Sequence, residues 1–374
     1  MLRRVFLVGL AALSWIVSVE RTHADEASGT WTGALEGRGN YYWERSTRVV
    51  VPEGRADLSA PNGVRMHAEY LVDVISSASI GQGVTEDGVL TELRHGVGLG
   101  VGKELEVVDG TQLDVGLRGT YSAENDYTSW IYGVDTALSL DERTTKLMLG
   151  LTAVSDRIEA NNDPSFEGEL DGLTVSLGVE RVVNRTITVS AGYQLAYLSG
   201  YLGNPYRRVV FENGAPLRES PPGQRTRHNA SARVAFFIPA TDTALHLGHR
   251  AYVDSWGIAA LTPELRVCQQ LGDTVLSTSY RLYLQTRASF AEEDGRYAGS
   301  SDEGLDVDTT NDPKLLAMRT HTLGLMLEHE LGFLESTVLD FARHATIDLR
   351  FDRYWSNSSF GNGILATAGG RIPF

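Results

Sequence analysis

Apolar and polar residues alternate with a period of two in segment after segment of this chain. Across 64–74, Val64, Met66, Ala68, Tyr70, Val72 and Val74 share one face, and Arg65, His67, Glu69 and Asp73 share the other. Leu113, Val115 and Leu117 alternate with Asp114, Gly116 and Arg118. Ala232, Val234 and Phe236 alternate with Ser231, Arg233 and Ala235. Tyr280, Leu282 and Leu284 alternate with Arg281, Tyr283, Gln285 and Arg287, and Ile347, Leu349 and Phe351 with Asp348, Arg350 and Asp352. A strand sends successive side chains to opposite faces of its sheet. Two folds accept such strands: a soluble sandwich, or a wall with lipid on one side and water on the other.

The two ends of the chain separate these readings. Arg3 and Arg4, the apolar stretch Val5 to Val19, and Thr22-His23-Ala24 read as a signal peptide over 1–24, cleaved after Ala24. The apolar stretch is shorter than the roughly 20 residues of a spanning helix. No Cys follows it, and no later apolar run is long enough to cross a bilayer as a helix. An exported chain without such a helix spans a membrane as a closed barrel. At the other end Ile364, Ala366, Ala368, Gly370, Ile372 and Phe374 share a face, and a terminal aromatic on such a strand resembles the insertion signal of bacterial outer-membrane barrels. Phe374 is therefore the expected insertion signal, and the expected partners are outer-membrane lipid and the barrel assembly machinery. The expectation is an all-β protein: 25–374 form one transmembrane antiparallel β-barrel in the bacterial outer membrane, with about sixteen strands, or fourteen.

The connections agree with this. Tight polar links (59–63, 140–143, 183–185, 239–242, 271–273) alternate with longer ones (76–88, 122–129, 156–169, 200–225, 291–315, 356–362). That is the pattern of short periplasmic turns and long extracellular loops, with both termini inside. The segment near Thr30 to Tyr42 reads either as the first wall strand or as a lead inside the lumen. Tyr121, Trp130, Tyr197, Tyr252, Trp256, Phe290 and Trp355 lie near outer strand ends, where an aromatic girdle is expected.

Charge excludes some functions. The formal net charge is −15, and −17 once Arg3, Arg4, Glu20 and Arg21 leave with the signal, which argues against nucleic acid. A single Cys268 excludes an internal disulfide framework, and C-x-x-C-H is absent. No cofactor and no metal site is expected. His67, His246, His249, His321, His329 and His344 are scattered, no H-x-S occurs, and the pair Asp254 and His249 is the one rim arrangement that resembles a protease site. The chain is not expected to be an enzyme.

The inward-facing set carries both signs. Arg118, Arg233, Arg250, Tyr252, Asp254, Arg281, Tyr283, Gln285, Arg287, Asp348 and Arg350 are the expected pore-lining residues. Rows of opposite charge across a pore order polar solutes and select ions; the alternative is that these groups pair across strands and fix register. The proline-bearing loop 200–225 is expected to fold inward as a constriction. The acidic loop Ala291 to Asp312 is expected either to be a solvated tip or to take a divalent cation.

Several segments resemble a family of bacterial outer-membrane proteins known as a domain of unknown function. They are Tyr41-Tyr42-Trp43-Glu44 with Thr47-Arg48-Val49, Tyr70-Leu71-Val72-Asp73 with Ser76 to Ser79, and Gly203-Asn204-Pro205-Tyr206-Arg207. The longest runs Arg250-x-Tyr252-x-Asp254-Ser255-Trp256-Gly257-Ile258, then Tyr280-Arg281-x-Tyr283-x-Gln285, then Ala288 and Phe290. The family has a second Asp where this chain has Ser255. The resemblance implies an outer-membrane barrel and a redox-linked setting in which a partner carries the redox chemistry. The resulting expectation is a porin-like channel for small polar solutes. Its alternative is a scaffold or export barrel whose lumen holds a periplasmic partner or plug.

Overall fold

The computed structural model describes residues 29–45, 47–77, 90–108, 110–300 and 307–374. The signal segment and part of the acidic loop, with Asp302, Glu303 and Asp306, lie outside the described residues, as does the link that follows Ser77. Sixteen strands form the wall: β1 (Thr32–Glu44), β2 (Thr47–Ser59), β3 (Val64–Ser77), β4 (Leu90–Val108), β5 (Thr111–Ala123), β6 (Tyr127–Leu140), β7 (Thr145–Glu159), β8 (Glu167–Asn184), β9 (Ile187–Gly200), β12 (Gln224–Ile238), β13 (Thr243–Asp254), β14 (Ala259–Leu271), β15 (Thr274–Gln285), β17 (Met318–Glu330), β18 (Thr346–Ser356) and β19 (Gly363–Pro373). Each is antiparallel to its neighbours. Three short strands, β10 (Arg208–Asn213), β11 (Leu217–Arg218) and β16 (Arg296–Ser300), form a separate sheet in the order β11-β10-β16.

The ring closes where β1 pairs with β19, from Ala34 opposite Pro373 to Glu44 opposite Gly363. The segment near Thr30 is thus a wall strand. Closure leaves no edge, and in hydrocarbon every unpaired backbone group would cost several kcal/mol. Phe374 and Gly33 exchange backbone hydrogen bonds of 2.8 Å in both directions at the same seam. Followed strand by strand, the register returns to β1 sixteen residues from its start, a shear equal to the strand number. With ordinary strand spacing and rise, that shear gives a tilt of about 35° and a backbone radius of about 15 Å.

The alternation becomes two surfaces. Leu93, Val97, Leu99 and Val101 of β4 are exposed, Leu99 by 60%, as are Leu147, Leu149 and Leu151 of β7 and Leu323, Leu325 and Leu327 of β17. Their register partners lie on the same outer face, so the apolar band runs around the whole wall. At the inner face β4 carries Gly96, Gly98, Gly100 and Gly102. Leu71, Glu69, His67 and Arg65 of β3 lie flat over these four glycines, and a Cβ at Gly98 or Gly100 would collide with Glu69 or His67.

The start of β1 and the end of β19 share one end of the barrel with the tight turns, among them Gly272-Asp273, where φ of +62° at Gly272 suits a residue without Cβ. One connection at that end is long: 331–345 contains two short 3₁₀ turns and exposes Phe333, Val338 and Phe341. The link expected over 122–129 is shorter than its composition suggested, because pairing of β5 with β6 continues to Ala123 opposite Thr128.

The girdle is part of the outer face. Tyr121, Trp130, Tyr197 and Trp355 are exposed there, and Tyr121 packs on Trp130 with ring centroids 4.4 Å apart. Three Tyr–His pairs join them, Tyr70 with His95, Tyr193 with His228 and Tyr280 with His321, at 2.7–2.8 Å between hydroxyl and Nδ1. Tyr252, Trp256 and Phe290 do not belong to the girdle. Tyr252 is on the inner face, while Trp256 and Phe290 pack with Ile258, Ala288, Ala291 and Leu315 beneath the loops. They sit near strand ends, but those ends turn inward rather than toward lipid.

Candidate functional site

The inner wall is built from the polar half of each alternation. On most of it every arginine is matched by a carboxylate. Arg38 pairs with Glu36 at 3.0 Å and Asp348 at 3.4 Å, Arg55 with Asp57 at 2.8 Å, and Arg118 with Asp135 at 2.9 Å. Arg65 pairs with Asp114 and Arg94 with Asp73. Arg266 lies 3.3 Å from Glu264, and Arg350 lies 2.7 Å from Asp352. Arg118 also donates to Thr152 at 2.8 Å. Asp135, with half of its side chain exposed although it points inward, shows that the lumen is hollow at its level.

The residues expected to line the pore fall into three groups. Arg118, Asp348 and Arg350 are wall residues in the ion pairs above. Arg233, Arg250 and Arg281 are wall residues of β12, β13 and β15 with no hydrogen bond or ion pair among the described residues. Tyr252, Asp254, Tyr283 and Gln285 brace the outer mouth. Asp254 accepts from Arg225 Nε at 2.9 Å, from Tyr252 at 2.6 Å, and from the backbone N–H groups of Trp256 and Ile258 at 3.0 Å each. Tyr283 donates to Gln285, whose amide donates to the carbonyls of Lys314 and Leu316 at 2.8 and 2.9 Å. Arg287 lies beyond the end of β15, so it is a loop residue; its partners are the Ala291 carbonyl at 3.3 Å and Glu292 at 3.7 Å. His249 and Asp254 face opposite sides of β13, because their separation is odd, so they form no catalytic pair.

Sequence reasoning placed Arg225 in a loop and passed over Arg227. Both belong to β12, where Arg225-x-Arg227 continues the inward alternation of Ser231 and Arg233. The Arg225 guanidinium also stacks 4.1 Å from the Trp256 ring.

Segments 201–223, 286–300 and 307–317 form a cap over this mouth. Leu202 packs against the Trp256 cluster and against a second cluster of Ile158, Leu170 and Leu198. Those three residues face inward on β7, β8 and β9, so the first loop folds toward the lumen. Arg218 reaches Asp163 at 2.8 Å, and Tyr206 donates to the buried Asp126. In the cap's own core Arg207 lies 3.4 Å from Glu219 and 3.1 Å from Asp312. Glu219 also accepts from Thr310 at 2.9 Å and from the Asn204 backbone at 2.7 Å. Burial pushes the Glu219 carboxyl up from its ordinary range, and Arg207 opposes that. Asp312 is thus part of this network, while Asp294 neighbours Arg296 at 3.9 Å. Among the described residues the carboxylates close enough to share a cation are Glu92, Glu124 and Asp126, away from the acidic loop.

The sequence pattern of a family described as "Protein of unknown function (DUF3570)" matches residues 167–369. No curated protein matches the chain. Among solved structures it is similar to a bacterial polysaccharide outer membrane secretin, at 9% identity over 91% of this chain and 98% of that one, with a TM-score of 0.50. It is also similar to the Pseudomonas aeruginosa protein OpdK solved with vanillate (9% identity, 92% of this chain, 98% of that, TM-score 0.45). With the siderophore receptor PirA of Acinetobacter baumannii it shares 10% identity over 88% of its own length and 53% of the receptor's, at a TM-score of 0.46. At such identities the likeness concerns the fold.

Proposed function

This chain belongs to the DUF3570 family of proteins of unknown function, and we propose that it is an outer-membrane channel passing small polar solutes through a charged lumen. One observation carries this reading: unpaired charges of opposite sign face each other across a hollow barrel. In the ring of sixteen strands β12 and β13 stand directly across from β2 and β3. The first pair carries Arg227, Arg233 and Arg250, and the second carries Glu53 and Glu69; among the described residues none of the five has an ion pair within 4.0 Å, although Glu53 stands opposite Arg38 and Glu69 opposite Arg55 in the register. Inert filling would pair them. Left unpaired between low-dielectric walls, they set up a transverse field that orients dipolar and ionic solutes in transit. A radius of about 15 Å leaves room for water inside the layer of side chains.

The exposed apolar band and the girdle fit an outer membrane, with the termini and tight turns in the periplasm and the cap outside. In this reading the cap narrows the mouth along β5–β9 and β12–β15. Proteoliposomes containing the refolded chain are expected to swell in small sugars and amino acids faster than empty liposomes. Equal rates would overturn the channel.

One observation favours the second reading, a scaffold that holds a periplasmic partner: the apolar tips Phe333, Val338 and Phe341 are exposed at the end with the termini. That reading requires a second polypeptide to co-purify with the barrel and to be lost on Phe333→Ser with Phe341→Ser.

A further inference from the structure

The inner-wall arginines divide unevenly. Eight of them, Arg38, Arg55, Arg65, Arg94, Arg118, Arg225, Arg266 and Arg350, each hold a carboxylate. Apart from Arg371 at the rim beside the termini, the exceptions are Arg227, Arg233, Arg250 and Arg281, and all four lie on one patch of β12, β13 and β15. The registers place them. Arg227 is opposite Asp254, whose carboxylate is already taken by Arg225. Arg250 is opposite Ser231 on one side and Thr262 on the other, and Arg233 is opposite Gly248. Arg281 is opposite Glu264, which is engaged by Arg266. The charges acting on Arg250 are those of Arg281, Glu264 and Arg233.

This patch has donors to spare and a place to put a ligand. The Nε groups of Arg227 and Arg250 are shielded from solvent and have no acceptor; those of Arg38 and Arg94 are in the same state, but these two arginines hold a carboxylate through Nη2. At Gly248, between Arg233 and Glu264, an added Cβ would meet nothing nearer than 3.8 Å, so the floor of the patch is open. Like charges gathered on β12, β13 and β15, with β14 between the last two, repel one another, and shielded donors without acceptors carry a desolvation cost. Elsewhere on the inner wall, Arg371 apart, the chain answers each arginine with a carboxylate, and it has an excess of acidic residues. Here the missing acceptor must come from outside. Guanidinium groups bind carboxylate and phosphate oxygens in bidentate pairs, which a hydrated lysine does not do as well.

We propose that Arg233, Arg250 and Arg281 form an oxyanion-binding site on the lumen wall, with Arg227 between it and the mouth, and that the site takes small solutes bearing a carboxylate or a phosphate. The inference rests on the channel reading, since solutes reach the patch through the lumen. It names the class of solute that the channel favours. Arg233 and Arg281 lie on one register row with Gly248 and Glu264 between them, Arg250 lies two residues nearer the cap, and Arg227 four residues further, beside Asp254 at the mouth. Thr262 and Ser231 supply hydroxyls between them.

The test is equilibrium binding to the refolded full chain in detergent, by titration calorimetry at low salt, with succinate and inorganic phosphate as separate probes. Saturable binding of at least one probe is expected. Arg250→Gln and Arg281→Gln should each weaken it about tenfold or more, while Arg55→Gln, which removes an arginine already paired with Asp57, should change it less than twofold. Heat-modifiable migration shows that each variant is folded. The proposal is overturned if the folded wild type binds neither probe, or if the three variants weaken binding alike. Binding in detergent does not depend on conductance. A barrel that conducts without binding refutes the site alone, and one that binds without conducting refutes the channel alone.

Discussion

At the scale of single residues, this barrel depends on where side chains are missing as much as on where they are present. The column Gly96, Gly98, Gly100, Gly102 lets the long polar side chains of β3 lie against β4 instead of crowding the lumen. Placing a Val at Gly100 drives its Cβ into His67. Gly100→Val is expected to cost about 1–3 kcal/mol through overpacking, read as a lower urea midpoint for the loss of heat-modifiable migration. Adding His67→Ala should restore most of it; if the double variant is no better than the single one, the collision is not the cause. Asp254 is the opposite case, a side chain with four donors on it. Removing it leaves Arg225 and two backbone N–H groups without their acceptor, so Asp254→Ala is expected to loosen the mouth by about 3–5 kcal/mol. Faster protease cleavage within 255–258 and 286–317, with the wall still protected, is the expected result.

At the scale of elements, the cap behaves as a unit separate from the wall. Its sheet β11-β10-β16 and its ion network join 201–223 to 286–300 and 307–317, and Glu219 is the centre of that network. Because burial raises the Glu219 carboxyl in the folded cap above its unfolded value of about 4.5, the folded cap holds more protons than the unfolded one between those two pKa values. The protonated form's contribution to stability is complete below the unfolded value and disappears as pH rises through the folded one. Proteolysis of the cap should therefore speed up as pH rises from about 4.5, and Glu219→Gln should flatten that dependence; an unchanged profile in the variant would assign it to another group.

The elements also show how far the sequence could be read. Period-two alternation was enough to assign faces to Val64–Val74, to Leu113–Arg118 and to Tyr280–Gln285, because a strand leaves no other choice. It could not show the cap, whose contacts join residues such as Glu219 and Thr310, about ninety positions apart and without periodicity. For the same reason Trp256 and Phe290 looked like girdle residues. Position near a strand end sets height in the membrane, but beyond that end the chain is free to turn inward. The 331–345 connection escaped notice because its short 3₁₀ turns carry no alternation. The ion pairs of the wall were visible as residue types but not as partners: Arg65 reaches Asp114 over Gly102, two strands away, so which arginines stay unpaired emerges only once the register is closed.

At the scale of the whole molecule, sixteen strands and a shear of sixteen fix a tube whose tilt and width follow from strand geometry alone. Thirteen-residue strands at about 35° rise about 35 Å, enough for an apolar band of about 25 Å with a margin at each end. On that tube, among the described residues, Glu53 and Glu69 on one wall and Arg233 and Arg250 on the wall opposite are without an ion pair. This hollow is then a conducting path, which single-channel recording of the refolded wild-type chain in a planar bilayer can decide. Stable ohmic steps are expected, with an ion selectivity that shifts when Arg281 is changed to Gln; a folded, heat-modifiable barrel that never conducts would mean that the lumen is closed.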